Sequence, residues 1–331
     1  MELESHTLKA LVSAYEIARK KIFLSTPTLI DENTYTEKFL TSQEIEFTKT
    51  ACEIFRQKIT LPEDINFSLK EVLNKSLSEI DSRFSDITYL ARNYFAKQQA
   101  EKLINGTNDF RQVIEIGHGF DFSFADLALA NPEKNFYFVE LEPISKIYEG
   151  SLKTYLNSKG IELPKNIKFI SCDLEKENVF DKLKDSGIDF NIITYSNMIG
   201  VASHLKPNTF KNFLNEYSNS FADKSLINFT MVSPQNKSHI NTLDRDNVKN
   251  LIENNGFSMV EAFGYDTINK SILQKVIQGN TKNELDGTIY LCSVEREKNI
   301  GKTNLEYIST KLLIQLGTPR ELIQENLILS N

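Results

Sequence analysis

The residues best placed to do chemistry lie together in Arg111-Gln-Val-Ile-Glu-Ile-Gly-His-Gly-Phe-Asp121. Val113, Ile114 and Ile116 form the short apolar run that a buried parallel strand needs, and Gly117 and Gly119 let the backbone turn sharply at its carboxyl end. Ser123 with Asp126 reads as a capping box opening a helix from Phe124 to Ala130, which Asn131-Pro132 stops. A strand, a glycine turn and a helix amino terminus make a cradle in which backbone N–H groups and the helix dipole meet a polar or anionic ligand. A nucleotide-type ligand is expected there. Any α/β strand-turn-helix can carry a lone Gly-x-Gly, so the neighbouring residues decide the matter.

A dinucleotide site wants glycine at the third fingerprint position, so that helix and strand pack closely around a pyrophosphate. Here that position is Phe122, which counts against NAD(P) and against an oxidoreductase on a similar sheet, the alternative reading. Glu140, in Val139-Glu-Leu-Glu-Pro143, ends the second expected strand, where a carboxylate can take hydrogen bonds from ribose hydroxyls because strand ends converge on the crevice outside the sheet. Glu142 is the competing choice, with Leu141 between them. Asp173 follows the third strand in Phe169-Ile-Ser-Cys-Asp-Leu174, and a helix cap is its other reading. Glu115, Glu140 and Asp173 at the ends of successive strands are harder to obtain by chance than any one of them. His204, beyond the fourth strand, is the candidate catalytic residue, since an ordinary pKa of ~6.5 suits a general base. His118 is expected to line the ligand, and His239 to sit in a loop beyond strand five.

Elements alternating from Gln112 onward argue for a doubly wound α/β sheet. Strands are expected up to residue 116 and over 135–141, 167–172, 190–195, 226–232, 257–263 and 288–294. Helices fall between them over 124–130, 143–159, 178–185, 208–221 and 245–255. Residues 1–105 show no convincing strand. Leu8, Leu11, Val12, Tyr15, Ile17 and Ala18 share one helix face, Thr41 with Glu44 caps a second helix, and further helices are expected over 69–80 and 87–104. This segment reads as a helical cap over the cofactor mouth. An insertion is expected at 266–287, and Thr318-Pro-Arg-Glu321 caps a helix in a carboxyl-terminal extension, 299–331.

With 40% hydrophobic and 25% charged residues and a net charge of −7, the chain reads as soluble and globular, with no basic surplus to attract nucleic acid or an anionic membrane. Cys52, Cys172 and Cys292 are far apart and form no Cys-x-x-Cys, so reduced core thiols are expected and no metal site. The amino terminus is acidic and polar, and no apolar run approaches the ~18 residues of a membrane span, which points to the cytoplasm.

Glu115-x-Gly117-x-Gly119 resembles motif I of class I S-adenosylmethionine (SAM) methyltransferases, whose ligand has no phosphate. Arg92-Asn-Tyr-Phe-Ala-Lys97, the loop through Asp121, Asp173-Leu174, and then Leu183, Gly187 and Asp189 extend the likeness. Over roughly residues 85 to 235 the chain resembles the leucine carboxyl methyltransferase family. The resemblance implies a seven-stranded, doubly wound, Rossmann-like class I methyltransferase sheet over 106–298 with an N-terminal helical cap. It implies SAM as cofactor, S-adenosylhomocysteine as product, and O-methylation of a carboxylate or hydroxyl on a small molecule or peptide. Arg92 would bind the SAM carboxylate through its two-donor fork, Gly117 and Gly119 the methionyl part, Glu140 the ribose and Asp173 the adenine. Glu115, His118, Asp121, Leu141, Leu174 and Ser196 complete the expected cofactor-binding set. The family usually carries Glu-Gly or Glu-Cys after strand four, then a tyrosine; this chain has Ser196-Asn197, then Gly200 and His204. The eukaryotic phosphatase-tail substrate is therefore not carried over. A fold-retaining binding protein without catalysis is a further alternative, and a homodimer is left open.

Overall fold

The computed structural model describes residues 5–24, 40–58, 83–106, 109–232, 240–243, 245–264 and 289–296. Strands β1 (Gln112–Ile116), β2 (Asn135–Glu140), β3 (Ile167–Ser171), β4 (Thr194–Met198) and β5 (Leu226–Val232) run parallel, in the order β3-β2-β1-β4-β5. β6 (Phe257–Gly264) and β7 (Ile289–Arg296) continue the sheet beyond β5, with β7 antiparallel to both β5 and β6. The chain leaves β1 toward β2 on one side and returns toward β4 on the other. The crevice at the carboxyl ends of β1 and β4 is the topological switch point, where open α/β sheets bind ligands.

Helices cover both faces, so the central strands β1, β4 and β5 are buried along their whole length. Helices α1 (Ser5–Leu24), α2 (Ser42–Lys58), α3 (Arg83–Gly106), α4 (Ser123–Ala130) and α5 (Glu142–Ser158) share one apolar cluster with Val113, Phe136 and Phe138. Helices α6 (Val179–Asp185), α7 (Pro207–Ser220) and α8 (Arg245–Asn254) share the other with Ile114, Ile116, Tyr137 and Val139. This alternation puts Glu115 on the α1–α5 face with Val113.

Local chemistry explains where the expectations fail. Strand four was expected over 190–195, yet it begins at Thr194. The Asp189 side chain accepts from the Asn191 N–H (2.9 Å) and makes an Asx turn inside the apolar stretch. Gln112 pins that turn, its Nε2 donating to Asp189 O (2.8 Å) and its Oε1 accepting from the Asp189 N–H (2.8 Å). The Ser123–Asp126 box does not form either. The Asp126 N–H donates to Phe122 O (2.9 Å), and Ser123 Oγ donates to Glu44 Oε1 (2.9 Å). The Thr41–Glu44 box does form, with Glu44 N–H donating to Thr41 Oγ1 (3.2 Å) and Thr41 N–H to Glu44 Oε2 (2.6 Å). The expected helix at 69–80, the insertion at 266–287, the extension at 299–331 and His239 lie outside the described residues.

Aromatic contacts hold the amino-terminal helices to the rest. Phe47 of α2 is fully buried, stacked on Phe122 with ring centroids 4.9 Å apart and edge-on to Tyr148 of α5 at 5.2 Å. Tyr15 of α1 stacks on Phe55 of α2 at 4.2 Å. Phe47→Ala should therefore cost about 3–5 kcal/mol through lost transfer energy and a residual cavity. A urea titration should show a lower midpoint with an unchanged slope; a loss below about 1 kcal/mol would mean that α2 is not docked in this way.

Candidate active site

The turn after β1 needs its glycines for two different reasons. Gly117 and Gly119 sit at φ +71° and +55°, the left-handed region where side chains are strained. A Cβ on Gly117 would also collide with Val201 Cγ2, whereas one on Gly119 would sit 3.5 Å from Ala14 Cβ of α1. The Gly117 N–H donates to Val139 O at 2.9 Å, continuing the β1–β2 ladder into the turn.

Two carboxylates then fix the loop. Glu140, the last residue of β2, folds over it, with Oε2 accepting from the Gly119 N–H (3.0 Å) and Oε1 from the Leu141 N–H (2.8 Å). Burial pushes its carboxyl up to about 6, against the lowering effect of those two bonds. Asp121 accepts from Lys21 Nζ of α1 (2.5 Å) and Asn93 Nδ2 of α3 (3.0 Å) on Oδ2, and from the Ser123 N–H (2.8 Å) on Oδ1. Burial alone would raise the Asp121 carboxyl, but the Lys21 ammonium and the Ser123 bonds hold it well below the usual range. The Ser123 N–H bond caps α4 in place of the expected serine cap.

The loop opens onto a cleft lined by Asn93, Glu115, Gly117, His118, Asp121 and Ser123, with Asn197 and Ile199 from the end of β4 and beyond. Glu115 and Asn197 are register partners on β1 and β4, and Asn197 Nδ2 donates to Glu115 Oε1 at 3.1 Å. Burial drives the Glu115 carboxyl well above its ordinary value, which the Asn197 bond only partly offsets. The His118 ring lies 4.1 Å from Tyr148 between centroids, with Nδ1 2.9 Å from Gly119 O. Burial lowers its pKa to about 4, so it is neutral near pH 7. Glu115 Oε2, His118 Nε2 and Asn197 Oδ1 are buried without a hydrogen-bond partner among the described residues. Unpaired buried polar atoms cost stability and are rare in folded proteins. Three on one cleft, beside a glycine cradle, fit a polar ligand.

The remaining sequence candidates fall at varied distances from this cleft. Asp173 lies just past β3; its Oδ1 accepts from the Glu175 N–H (3.0 Å) and Oδ2 is 3.5 Å from Lys176 Nζ. Leu174 is half-buried against the α6–α8 cluster, and Leu141 begins α5. Ser196 lines the opposite face, its Oγ 2.9 Å from Tyr217 Oη of α7, because strand parity turns Asn197 and not Ser196 toward the cleft. His204 is exposed on the short turn Ala202–His204 and does not line the cleft. Arg92 lies in α3 next to Asn93, and its side chain is outside those described. Sequence reading missed Lys21, Asn93 and Asn197. Extending strand four to its observed end would have found Asn197, whereas nothing local marks Lys21.

Gly117→Ala should abolish cofactor binding in calorimetry and lower stability by about 1–3 kcal/mol through positive-φ strain and the Val201 clash; wild-type binding would show that the loop tolerates a Cβ. Glu140 has a folded-state pKa above its ordinary 4.5. It therefore supports the fold fully below pH 4.5 and loses that support as the pH rises through about 6. Carbon-13 NMR should place its carboxyl midpoint near 6, and a midpoint near 4.5 would mean a solvated side chain.

The model of the family described as leucine carboxyl methyltransferase matches residues 10–218. No curated protein matches the chain. Among solved structures, a protein from Thermobifida fusca YX assigned as a methyltransferase is 12% identical, with 65% of this chain and 83% of that chain covered and a TM-score of 0.47. The N-methyltransferase NodS from Bradyrhizobium japonicum WM9, solved with S-adenosylhomocysteine, is 12% identical over 62% of this chain and 87% of its own, with a TM-score of 0.41. The magnesium protoporphyrin IX methyltransferase ChlM from Synechocystis PCC 6803, solved with SAM, is 12% identical over 65% of this chain and 85% of its own, with a TM-score of 0.42. Since the family model spans well over half of the 331 residues, the chain belongs to the leucine carboxyl methyltransferase family and is a SAM-dependent methyltransferase.

Proposed function

We propose that the chain methylates a carboxylate oxygen of a small molecule or peptide. The observation that carries this reading is the state of the titratable groups at the cleft. Burial drives the Glu115 carboxyl well above its ordinary value and Asn197 Nδ2 occupies its Oε1, His118 is neutral with Nδ1 engaged on Gly119 O, and Asp121 is locked to Lys21. His204, the candidate base, stands exposed away from the cleft lining. A hydroxyl acceptor needs a base to take its proton. A carboxylate is already anionic at neutral pH and needs only to be desolvated and aimed.

Bound SAM supplies an activated methyl group on a sulfonium. The residues around the cleft fit that group by their chemistry. Gly117 and Gly119 let backbone approach the methionyl part, and the Glu140 oxygens have lone pairs left for ribose hydroxyls after holding the loop. Asp173 at the sheet rim suits an adenine amino group, and Arg92 suits a carboxylate. In this reading residues 1–105 form the cap, 106–298 the seven-stranded catalytic core, and 299–331 an extension. A cytoplasmic setting agrees with the described helices, none of which is long and apolar enough to cross a membrane.

The test is to incubate the purified chain with methyl-labelled SAM and small-molecule and peptide fractions of a cell extract. The label should enter a product that releases it as methanol in mild base, and His204→Ala should change turnover by less than about 3-fold. A base-stable label, or a loss on the order of 100-fold in His204→Ala with donor affinity intact, would point to a hydroxyl acceptor instead.

A further inference from the structure

The loop that follows β4 is held in place from three other parts of the chain. Ile199, its first residue, lines the cleft, and Val201 packs against Gly117, where its Cγ2 stands in the space a Cβ would need. Between them Gly200 sits at φ +79° and donates its N–H to Thr230 Oγ1 of β5 at 2.7 Å. Thr230 is only 1% exposed, and a hydroxyl so deep in a sheet needs a polar partner. Asn241, 2% exposed, donates Nδ2 to Ala202 O at 3.1 Å. The N–H groups of Ile240 and Asn241 both go to Ser203 O (3.2 and 3.1 Å), and Thr242 bridges Val232 at the end of β5. Glu175, past β3, ties the far end, accepting from the Lys206 N–H on Oε1 (2.6 Å) and from Thr209 Oγ1 on Oε2 (3.1 Å).

We propose that Thr230 and Asn241 are positioning residues for methyl transfer, holding the loop after β4 so that Ile199 forms the wall of the cleft against which the methyl acceptor is aligned. The inference rests on this cleft as the place of methyl transfer and not on the chemistry of the acceptor group. A donor seated on the glycine turn covers that side of the cleft, so the acceptor must reach the sulfonium methyl along another. Transfer needs the acceptor atom in line with the bond that breaks, and a misplacement of about 1 Å, even from a change remote from the reacting atoms, can cost about 100-fold in rate.

Gly200 is the lever in this arrangement. Its positive φ lets the chain turn between Ile199 and Val201, but glycine has the most backbone freedom to lose, so the turn gains from an external tie. The Thr230 hydroxyl supplies that tie, and Asn241 secures the next turn of the loop. The glycine turn after β1 has bonds of its own, from the Gly117 N–H to Val139 O and from the Gly119 N–H to Glu140 Oε2. Loosening Gly200 should therefore impair use of the acceptor while the donor still binds.

Three variants of the full chain test this. Thr230→Val keeps the branched shape and removes the hydroxyl, Thr230→Ser keeps the hydroxyl, and Asn241→Leu removes the second tie. Hydrogen exchange followed by mass spectrometry over residues 199–205 should quicken roughly 5- to 100-fold in Thr230→Val and Asn241→Leu, the range for a buried polar group left unpaired, and stay near wild type in Thr230→Ser. Calorimetric affinity for S-adenosylhomocysteine should stay within about 3-fold of wild type, because the two sets of ties share no partner. With methyl-labelled SAM and a dilute sample of the extract fraction that the wild-type chain labels, Thr230→Val should transfer label roughly 10- to 100-fold more slowly, and Thr230→Ser should restore the rate. Label is counted whatever bond holds it, so the carboxylate reading can fail without this one. Unchanged exchange in Thr230→Val overturns the pin. Donor affinity that falls together with label transfer overturns the assignment to the acceptor side, and a Thr230→Ser variant as slow as Thr230→Val overturns the hydroxyl as the cause.

Discussion

The carboxylate of Asp121 is the point on which the site depends. It is half-buried in the glycine loop and takes hydrogen bonds from Lys21 of α1, Asn93 of α3 and the backbone N–H of Ser123 at the head of α4. Its own carbonyl accepts from Tyr148 Oη of α5 at 2.8 Å. A carboxylate in such a place is costly without a cation, so Lys21 is a structural necessity for the loop and not surface decoration. That one ion pair brings an amino-terminal helix, distant in sequence, to the mouth of the sheet. Because the folded-state value lies below the usual carboxylate range, this support is present above that range and lost as acid protonates the group.

A second tie repeats the design one layer out. Lys97 of α3, nearly buried, lies 3.2 Å from Glu44 of α2 and 3.5 Å from Asp126 of α4. Glu44 also accepts from Ser123 Oγ, so the residue that opens α4 is held from both sides. Together with Phe47 against Phe122 and Tyr148, these ties set the α1–α3 helices against the loop that follows β1. The bulky Phe122, which counts against a pyrophosphate site, is thus an anchor for α2. The same placement shields Glu115, His118 and Asn197 from water and gives their unpaired atoms their leverage on a ligand.

Much of this architecture was legible in the sequence, for a physical reason. Apolar residues dominate these strands, so β2, β3 and β5 stand close to where they were expected. Gly117 and Gly119 carry the positive φ that their spacing suggested. The failures share one cause, side chains answering to partners remote in sequence. Phe190, Ile192 and Ile193 are apolar yet precede the strand, because Gln112 grips Asp189 from the foot of β1 and the Asp189 side chain turns the chain at Asn191. Ser123 looked like a cap, but Glu44 claims its hydroxyl and Asp121 does the capping. Ser196 and Asn197 differ only by strand parity, and both lie past residue 195, where the expected strand ended, so neither was assigned a face. Lys21 has no local signature, since what makes it matter is a carboxylate that only the fold brings near.

The central claim is that this loop and the unpaired polar atoms behind it hold a methyl donor and not a dinucleotide. Calorimetric titration of a single preparation with S-adenosylhomocysteine and with NAD tests it most directly. The account predicts saturable one-to-one binding of S-adenosylhomocysteine and no heat of binding with NAD. Saturable binding of NAD, with none of S-adenosylhomocysteine, would contradict it.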